Sequence, residues 1–391
     1  MKIMDLVFLE PYDGGSHRAF REGWVDRSRH RFRCLTQPAR FWKWRMRGSA
    51  AVFADELNRR NNRDNPADPT PDLIFATGFL NVADLRGLLR PPLDRVPIVL
   101  YLHENQLTYP LSPEEEFDFH FGFTNIISAL AAQRVVFNSE YQRRLFLDAI
   151  PAFLGKMPEG VPRQVPARLE AKSEVLGVGL ERRPLPAEYY PRYRGGPCAA
   201  DAGPTWPRAE RPLIVWNHRW EFDKRPEWFI AAVETLLDEG HDFAVALLGE
   251  SRNQEGVFHP LAKRLGARCV ACGFLPSRAQ YDALLERADI VVSCAAQEYF
   301  GISVAEAVHA GCYPVLPRDQ VYPSLYGARC KGRHLYDTPR ELTALLRDLI
   351  TGGTCGHVCS LDRDVDEFCW ERLAPRFDAL VDRVVSGGPQ G

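Results

Sequence analysis

The chain of 391 residues lacks the marks of several protein classes. It has no apolar stretch near the roughly 20 residues that span a bilayer, and no Walker sequence for binding phosphate. Neither sign of charge dominates, since 49 Lys and Arg face 51 Asp and Glu. The first residues carry an acid, Asp5, inside an apolar run and show no cleavage-site pattern. We therefore expect neither an integral membrane protein nor a polybasic tail protein, and we expect a cytoplasmic location.

The ten cysteines are scattered along the chain, so reduced thiols are the expected state. Two spacings, Cys269-x-x-Cys272 and Cys355-x-x-x-Cys359 around His357, offer conceivable zinc ligands. Cys269 and Cys272 fall in a predicted strand, where side chains three positions apart point to opposite faces. We therefore expect these two thiols to diverge, and we expect no bound metal.

Length and hydrophobic pattern predict two α/β domains. The chain exceeds the roughly 250–300 residues at which a single core stops growing. Apolar runs of strand length recur, each followed by a turn and a helical pattern, as in doubly wound parallel sheets. We place strands at 4–9, 30–35, 73–76, 98–102, 134–138 and 174–178, and then at 213–217, 243–248, 269–273, 290–293, 312–316 and 334–336. A segment rich in Pro and Gly separates the two series, so we predict domains at 1–181 and 211–365, a linker at 182–210 and a C-terminal helix and tail at 366–391.

The strongest chemical motif is Glu298-Tyr-Phe-Gly-Ile-Ser-Val-Ala-Glu306, which follows a predicted strand and opens a helix. Its turn leaves the backbone amides of Phe300, Gly301 and Ile302 at a helix N-terminus, where the dipole suits a phosphate or a carboxylate. Glu298 and Glu306 can each accept hydrogen bonds from a polyol. The alternative is a capped helix with two surface glutamates.

A second motif, Trp216-Asn-His-Arg-Trp-Glu-Phe-Asp-Lys224, leaves the strand at 213–217. The guanidinium of Arg219 and the ammonium of Lys224 can converge on a diphosphate. The alternative is a salt bridge within the loop to Glu221 or Asp223. Their presence in the same half of the chain as the double-glutamate motif favours phosphate binding.

Two loops in the first half carry polar or flexible residues directly after strands. Gly14 and Gly15 permit close approach of the backbone to a ligand, although the turn is not a G-x-G-x-x-G fingerprint. His103, Glu104 and Asn105 follow the strand at 98–102, and this position favours a site over a purely structural role. The pattern H-E-x-x-H is absent here, which argues against a zinc hydrolase.

The first 63 residues are basic, with fourteen Lys and Arg against seven Asp and Glu. Within them, the segment 38–47 interleaves cations with Phe41, Trp42 and Trp44. Aromatic rings beside cations are typical of surfaces that bind loop or single-stranded RNA. The alternative is a solvated helix with a buried tryptophan.

These motifs together resemble a known family. The double-glutamate motif, the Arg219/Lys224 pair, the Gly273-Phe-Leu turn and Phe368-Cys-Trp370 before a helix are similar to retaining glycosyltransferases of family 4. The narrower match is to the tRNA-queuosine α-mannosyltransferases. It rests on Gly14-Gly-Ser-His17, Trp42-Lys-Trp44-Arg45, Leu102-His-Glu-Asn-Gln-Leu-Thr-Tyr-Pro110, Phe119-His-Phe-Gly122 with Asn125, and Val136-Phe-Asn-Ser139.

The resemblance implies a GT-B fold, in which two Rossmann-like domains face a central cleft and a C-terminal helix returns to the first domain. It implies transfer of mannose from GDP-mannose to queuosine in the anticodon of a tRNA for aspartate, with retention and without a metal. Glu306 would hold the ribose and Glu298 the sugar, while Arg219 and Lys224 neutralise the diphosphate. His103 would face the sugar. The remaining donor contacts would be Gly14, Gly15, Asn217, Gly273, Phe274, Leu275, Phe300, Gly301 and Ile302, and the acceptor contacts Ser16, His17, Trp42, Lys43, Trp44, Arg45, Glu104 and Asn105.

Two other functions stay open at this point. One is a retaining hexosyltransferase of family 4 that acts on a lipid, a glycan or a small molecule, and the salt dependence of RNA binding distinguishes it. The other is an RNA-binding module without activity, against which the presence of Glu298, Glu306, Arg219, Lys224 and His103 argues. Neither the sugar nor the nucleotide base follows from the sequence alone.

Overall fold

The computed structural model describes residues 2–60, 69–111, 116–181, 211–250, 256–326, 333–351 and 365–387. The chain divides into two compact units. The first unit combines Met1–Glu181 with Phe368–Gly391, and the second consists of Arg182–Glu367. The linker predicted at 182–210 lies outside the described residues.

The first unit is built on a parallel sheet of six strands in the order β2-β1-β3-β4-β5-β6. The strands are β1 Asp5–Asp13, β2 Arg31–Pro38, β3 Leu73–Thr77, β4 Ile98–Leu102, β5 Arg134–Phe137 and β6 Ser173–Val175. The helices are α1 Gly15–Val25, α2 Trp42–Arg60, α3 Val82–Leu88, α4 Phe119–Ala131, α5 Glu140–Leu154 and α6 Val165–Glu170. The order of strands reverses between β1 and β3, and ligands of such sheets bind beyond the carboxyl ends of the strands at this point.

The second unit repeats this architecture with the order β12-β11-β10-β7-β8-β9. Its strands are β7 Leu213–Asn217, β8 Ala244–Leu248, β9 Cys269–Gly273, β10 Ile290–Val292, β11 Tyr313–Pro317 and β12 Leu335–Tyr336. Its helices are α7 Pro226–Asp238, α8 His259–Leu265, α9 Arg278–Arg287, α10 Ile302–His309, α11 Tyr322–Tyr326 and α12 Pro339–Ile350. Here the order reverses between β7 and β10, the strands that precede the two motifs of charged residues.

Each predicted strand is present, and its ends differ by a few residues at most from the predicted bounds. The central strands β3, β4 and β7 are buried along their whole length. Helices cover both faces of a parallel sheet, so its central strands are apolar throughout and stand out in the sequence. Among the described helices, none is long and apolar enough to cross a membrane.

The last helix, α13 Trp370–Val385, belongs to the first unit. Trp370 lies against Gly23 and Gly179, where an added Cβ atom would come within about 2.0 Å of the indole. The buried carboxylate of Asp378 accepts hydrogen bonds from Trp24 Nε1 at 3.0 Å and Ser28 Oγ at 2.6 Å. These contacts attach the C-terminal helix to α1, as the resemblance implied.

One prediction about the cysteines is wrong. The thiols of Cys269 and Cys272 interact with each other, and burial together with this contact raises the pKa of Cys269. The register between β8 and β9 shifts after Val245, which pairs with Cys269, because the next residue, Ala246, pairs with Ala271. This irregularity breaks the alternation of side chains on which the expected divergence depended. Cys355, His357 and Cys359 lie outside the described residues.

Candidate functional site

In the first unit, an ion pair lies at the carboxyl end of β1. Glu10 is fully buried, and its carboxylate lies 3.2 Å from Nδ1 of His17 on α1. The same carboxylate accepts a hydrogen bond from the backbone amide of Tyr12 at 2.9 Å. Burial alone would lower the pKa of His17, but the charge of Glu10 raises it above its usual value. Glu10 therefore favours the cationic form of His17.

His103, at the end of β4, lies next to this pair. The rings of His17 and His103 are 4.0 Å apart, and Phe20 meets His103 edge-on. Burial, reinforced by the neighbouring His17, holds the pKa of His103 well below its usual value. Its Nε2 atom is buried, and among the described residues none is a hydrogen-bond partner for it. His103 is thus a neutral imidazole with one unsatisfied nitrogen, a state that suits a ligand hydroxyl as partner.

Glu10, His17 and His103 offer three potential metal-ligand atoms within 4.8 Å of one another. Ligands of a single ion point their lone pairs at one centre. The two imidazole rings are tilted by 34° with their centroids 4.0 Å apart, and Nδ1 of His17 is already paired with the carboxylate of Glu10. The structure describes a hydrogen-bonded pair beside a neutral histidine, and the expectation of no bound metal stays a prediction.

The other predicted residues of these two loops differ in accessibility. Ser16 and Gly15 are exposed, and Gly15 has φ of +52° with open space around it, as a backbone site for a ligand requires. Gly14 instead packs against Ala39, whose Cβ atom would lie only 2.5 Å from a Cβ atom added at Gly14. Glu104 is half-buried.

Asn105 has a structural role in the turn after β4. Its side chain is fully buried, and its Oδ1 accepts hydrogen bonds from the backbone amides of Leu107 and Thr108 at 3.1 and 3.0 Å. The side chain shapes this turn, since a short amide can replace backbone partners there. The assignment of Asn105 to acceptor binding stays a prediction.

The basic aromatic segment forms the start of α2. Trp44 is 63% exposed and Lys43 is also exposed. Trp42 is half-buried against Phe79 and Phe121, and Arg45 is half-buried and donates to the carbonyl of Pro38 at 3.2 Å. Lys43 and Trp44 are thus the members of the predicted Trp42–Arg45 set that reach solvent freely.

In the second unit, the buried ammonium of Lys224 connects the segments that follow β7 and β10. Its Nζ donates to the carbonyl of Gln297 at 2.7 Å and lies 3.3 Å from Glu298 Oε2 and 3.2 Å from Asp223 Oδ2. Burial would lower the pKa of Lys224, but the two carboxylates raise it above its usual value. Lys224 is therefore a fixed cation.

Glu298 is held as an anion. Burial favours its neutral form, but Lys224, His218 and the backbone amide of Gly301 together lower its pKa. Gly301 has φ of +77° at the start of α10, a conformation that favours glycine. Because the Gly301 amide contacts Glu298, it is not an open donor, and the expectation of three outward amides is wrong at this position. Phe300 is buried and Ile302 half-buried.

A second polar cluster surrounds Glu306. Arg278 Nη1 lies 2.7 Å from Glu306 Oε1, and the hydroxyl of Tyr281 donates to Oε2 at 3.2 Å. Asn217 Nδ2 donates to the Tyr281 hydroxyl at 3.0 Å and to the carbonyl of Ser303 at 2.7 Å. Burial raises the pKa of Glu306, although Arg278 opposes this effect. Neither Glu306 nor Glu298 is a surface glutamate, so the alternative of two surface acids is wrong.

Arg219 is an exposed cation after β7, with 43% of its side chain accessible and Glu221 at 3.2 Å. The salt bridge considered from the sequence is therefore present, but it leaves the guanidinium at the surface. The adjacent His218 is buried, and burial lowers its pKa to about 3. His218 Nδ1 lies 3.3 Å from Ser303 Oγ, so it joins the two clusters of the second unit.

The turn after β9 presents an aromatic ring. Gly273 has φ of +108°, and Phe274 is 74% exposed while Leu275 is half-buried. A ring this exposed is available for stacking on a planar ligand.

Sequence reasoning missed five polar residues of these clusters: Glu10, His218, Asp223, Arg278 and Tyr281. Glu10, His218 and Asp223 lie within motifs already singled out and had a signal in their neighbours. Arg278 and Tyr281 lie on α9, a mostly polar helix whose sequence gave no indication that these two residues contact Glu306.

Comparisons with known proteins agree with this picture. A family described as tRNA-queuosine alpha-mannosyltransferase N-terminal matches residues 5–180, and one described as glycosyl transferases group 1 matches residues 205–356. A tRNA-queuosine alpha-mannosyltransferase of Drosophila melanogaster is 34% identical over 346 residues, which cover 87% of this chain and 85% of that protein.

Solved structures show the fold. Sucrose-phosphate synthase from Thermosynechococcus elongatus aligns with a TM-score of 0.68 at 13% identity, covering 98% of this chain and 100% of that one. A structure described as trehalose-6-phosphate from E. coli bound with UDP-2-fluoro glucose aligns with a TM-score of 0.63 at 13% identity, covering 97% and 99%. The expectation of a two-domain α/β fold of the GT-B type is confirmed.

Proposed function

Because the chain belongs to the tRNA-queuosine α-mannosyltransferase family, we propose that it transfers mannose from GDP-mannose to queuosine in tRNA, with retention of configuration. The observation that carries the proposal is the 34% identity over 87% of the chain. The charged clusters of the second unit support it, because each offers chemistry that a nucleotide sugar needs. A tRNA acceptor supports a cytoplasmic location.

The departing diphosphate is neutralised by Lys224 and Arg219. Lys224 is a buried cation whose position is fixed by Glu298, Asp223 and the Gln297 carbonyl. Such a prearranged charge stabilises a leaving group without reorganisation during the reaction. Arg219 is accessible and brings a planar fork that matches phosphate oxygens. Two cations supply the charge that a metal provides elsewhere, so the reaction is metal-independent.

The nucleoside of the donor is held by Glu306 and Phe274. Arg278 and Tyr281 hold the carboxylate of Glu306 in place. Glu306 accepts hydrogen bonds from the two ribose hydroxyls, and Phe274, which is 74% exposed, stacks on the base.

Retention proceeds on one face of the sugar without a protein nucleophile. Glu298 is the carboxylate beside the reacting sugar, and its charge is compensated by Lys224 and the Gly301 amide. An acid in this state is a weak nucleophile, and it suits the binding of sugar hydroxyls. The phosphate oxygen released from the donor accepts the proton of the acceptor hydroxyl as the new bond forms.

The test of the reaction type is a donor panel with analysis of the product. Purified protein is incubated with queuosine-containing tRNA and GDP-mannose, UDP-glucose or UDP-galactose, and the anomeric configuration of the released glycoside is determined by NMR. The proposal predicts an α-mannoside from GDP-mannose, with or without chelator. The test variant is Glu298→Gln, in which we expect transfer to be largely lost. Its control is Glu371→Gln, which makes the same change at an exposed acid of the first unit. A β-linked product, or dependence on added metal, contradicts the mechanism.

A further inference from the structure

A pocket in the first unit lies outside the clusters described above. It has a volume of about 730 Å³ and is lined by residues from the starts of α2 and α4, among them Lys43, Arg47, Phe117, Asp118, Phe119 and Phe121. We call it the aromatic pocket. Its volume falls within the roughly 300–1,000 Å³ of pockets for small organic ligands, and one nucleotide fits this range.

Two phenylalanines of the pocket are accessible. Phe117 and Phe119 are each 39% exposed, and their rings meet edge-on at 4.8 Å. Phe119 rests on Phe153 at 5.6 Å, which fixes its position from behind. Phe123, one turn further along α4, is 40% exposed. Aromatic rings that are supported on one side and open on the other provide stacking surfaces.

Cations accompany these rings. Lys156 lies over Phe117 at 5.7 Å and over Phe119 at 5.4 Å, and Arg47 lies over Phe121 at 5.0 Å. Arg47 also contacts Asp118 at 3.2 Å. Lys43 and Arg47 are four positions apart on α2 and share one face of the helix. The lining of the pocket holds two cations, Lys43 and Arg47, and two acids, Glu116 and Asp118, and Lys156 adds a third cation beside the rings of Phe117 and Phe119.

The pairing of open aromatic rings with cations fits a base and its phosphate better than an apolar peptide or a lipid chain. A base stacks on a phenylalanine whatever its identity, while lysine and arginine compensate the phosphate charge. Trp44, exposed on α2 next to Lys43, extends the same type of surface.

We propose that the aromatic pocket binds an unpaired nucleotide of the acceptor RNA, with its base stacked on Phe117 and its phosphate beside Lys43 and Arg47. This inference rests on the proposed function and adds to it a second contact with the RNA besides the modified nucleoside. The pocket therefore contributes to tRNA affinity and leaves the transfer step to the residues around Lys224.

The test is equilibrium binding of the full chain to queuosine-containing tRNA, to its anticodon stem-loop and to a duplex RNA of the same length. We expect Phe117→Ala to weaken stem-loop binding by about 5- to 100-fold, the range that loss of one stacked base produces. Phe117→Trp retains affinity because the ring is kept. Leu88→Ala, at another exposed apolar residue of this unit, serves as the control. Duplex binding stays within about twofold in each variant, since paired bases cannot stack on the ring.

A fluorescent base separates stacking from a change in folding. The probe is the stem-loop with 2-aminopurine at one loop position next to the modified nucleoside, and stacking on Phe117 quenches it. We expect quenching with the wild type and with Phe117→Trp, and none with Phe117→Ala at saturating protein.

The outcomes distinguish this inference from the proposed function. Unchanged stem-loop affinity in Phe117→Ala, or an equal loss for duplex and loop, overturns the aromatic pocket as a nucleotide site even if mannose is transferred. A loss confined to the loop supports the pocket even if no mannose is transferred, and the proposed function then fails alone. Capture of a lipid vesicle of neutral phospholipid by the wild type, abolished in Phe117→Ala, would assign the pocket to a membrane surface and overturn the proposal.

Discussion

Lys224 and Glu298 form a buried ion pair, with Nζ 3.3 Å from Oε2. The pair joins the loop after β7 to the segment after β10, the two strands between which the order of the second sheet reverses. Each partner keeps the other charged, because the pKa of Lys224 is raised and that of Glu298 is lowered. The pair therefore creates a charged site at the position where the topology of the sheet opens a crevice.

Replacing Lys224 by Met removes the cation at the leaving group. We expect kcat/KM for mannosyl transfer to fall by about 10²- to 10³-fold, the cost of losing one electrostatic contact to developing charge. Lys263→Met, at an exposed lysine of the same unit, leaves the rate unchanged. Steady-state kinetics with GDP-mannose provide the measurement, and a rate within threefold of the wild type would contradict this role of Lys224.

The contacts of Arg278 and Tyr281 with Glu306 predict that substitutions here weaken binding of the donor. Glu306→Gln removes a charged acceptor of the ribose hydroxyls, so we expect donor affinity to fall by about 10- to 150-fold, the range for a hydrogen bond to a charged group. Tyr281→Phe, which loses the hydroxyl that holds Oε2 at 3.2 Å, has a smaller effect in the same direction. Calorimetric binding of GDP-mannose measures both. Glu227→Gln, exposed at the start of α7, is the control, and weaker binding there would show that the effect is not specific.

The low pKa of the buried His218 predicts that the folded protein loses stability in acid. Its pKa is about 3 in the folded chain and about 6.5 when unfolded, so below pH 6.5 the unfolded state binds a proton that the folded state rejects. Stability then falls with acid by up to about 1.4 kcal/mol per pH unit, and above pH 6.5 this contribution vanishes. His218→Asn flattens the decline of Tm between pH 6.5 and 5, whereas His259→Asn, at an exposed histidine, does not. Parallel Tm curves for His218→Asn and the wild type would contradict the account.

The close packing of Trp370 against glycine predicts opposite changes in stability for two Gly→Ala substitutions in the first unit. An added Cβ atom at Gly179 meets the Trp370 indole at about 2.0 Å, whereas at Gly87 it meets nothing within 4 Å. We expect Gly179→Ala to lower the free energy of unfolding by about 3 kcal/mol or more. Gly87→Ala, within α3, raises it by about 0.5–1 kcal/mol. Denaturant unfolding tests both, and a neutral Gly179→Ala would mean that α13 shifts to make room.

The strands were predictable because a parallel sheet covered on both faces buries whole runs of Val, Ile, Leu and Phe, as β3 and β4 do. The charged motifs were predictable because they directly follow such strands. The failure at the cysteines has a local cause, since the thiols of Cys269 and Cys272 meet where the register of the sheet is irregular. The hydrogen bonds of Asn105 within its own turn were likewise invisible in the sequence.

Residues that reach a site from another element could not be predicted. Arg278 and Tyr281 contact Glu306 from a helix 20 or more positions earlier in the chain, and their spacing on α9 resembles that of ordinary surface residues. Phe117 and Phe119 alternate with Asp118 and His120 in the sequence, and only the folded chain shows the two rings beside Lys156.

The central claim is transfer of a hexose to queuosine in tRNA, and nucleoside mass spectrometry tests it most directly. Queuosine-containing tRNA is incubated with the protein and GDP-mannose, digested to nucleosides and compared with the same reaction of Glu298→Gln. The account predicts that the queuosine peak gains the mass of one hexose with the wild type and that this gain is largely lost in the variant. An unshifted queuosine peak in the presence of hydrolysed GDP-mannose would contradict the acceptor, and an equal gain with Glu298→Gln would contradict the site.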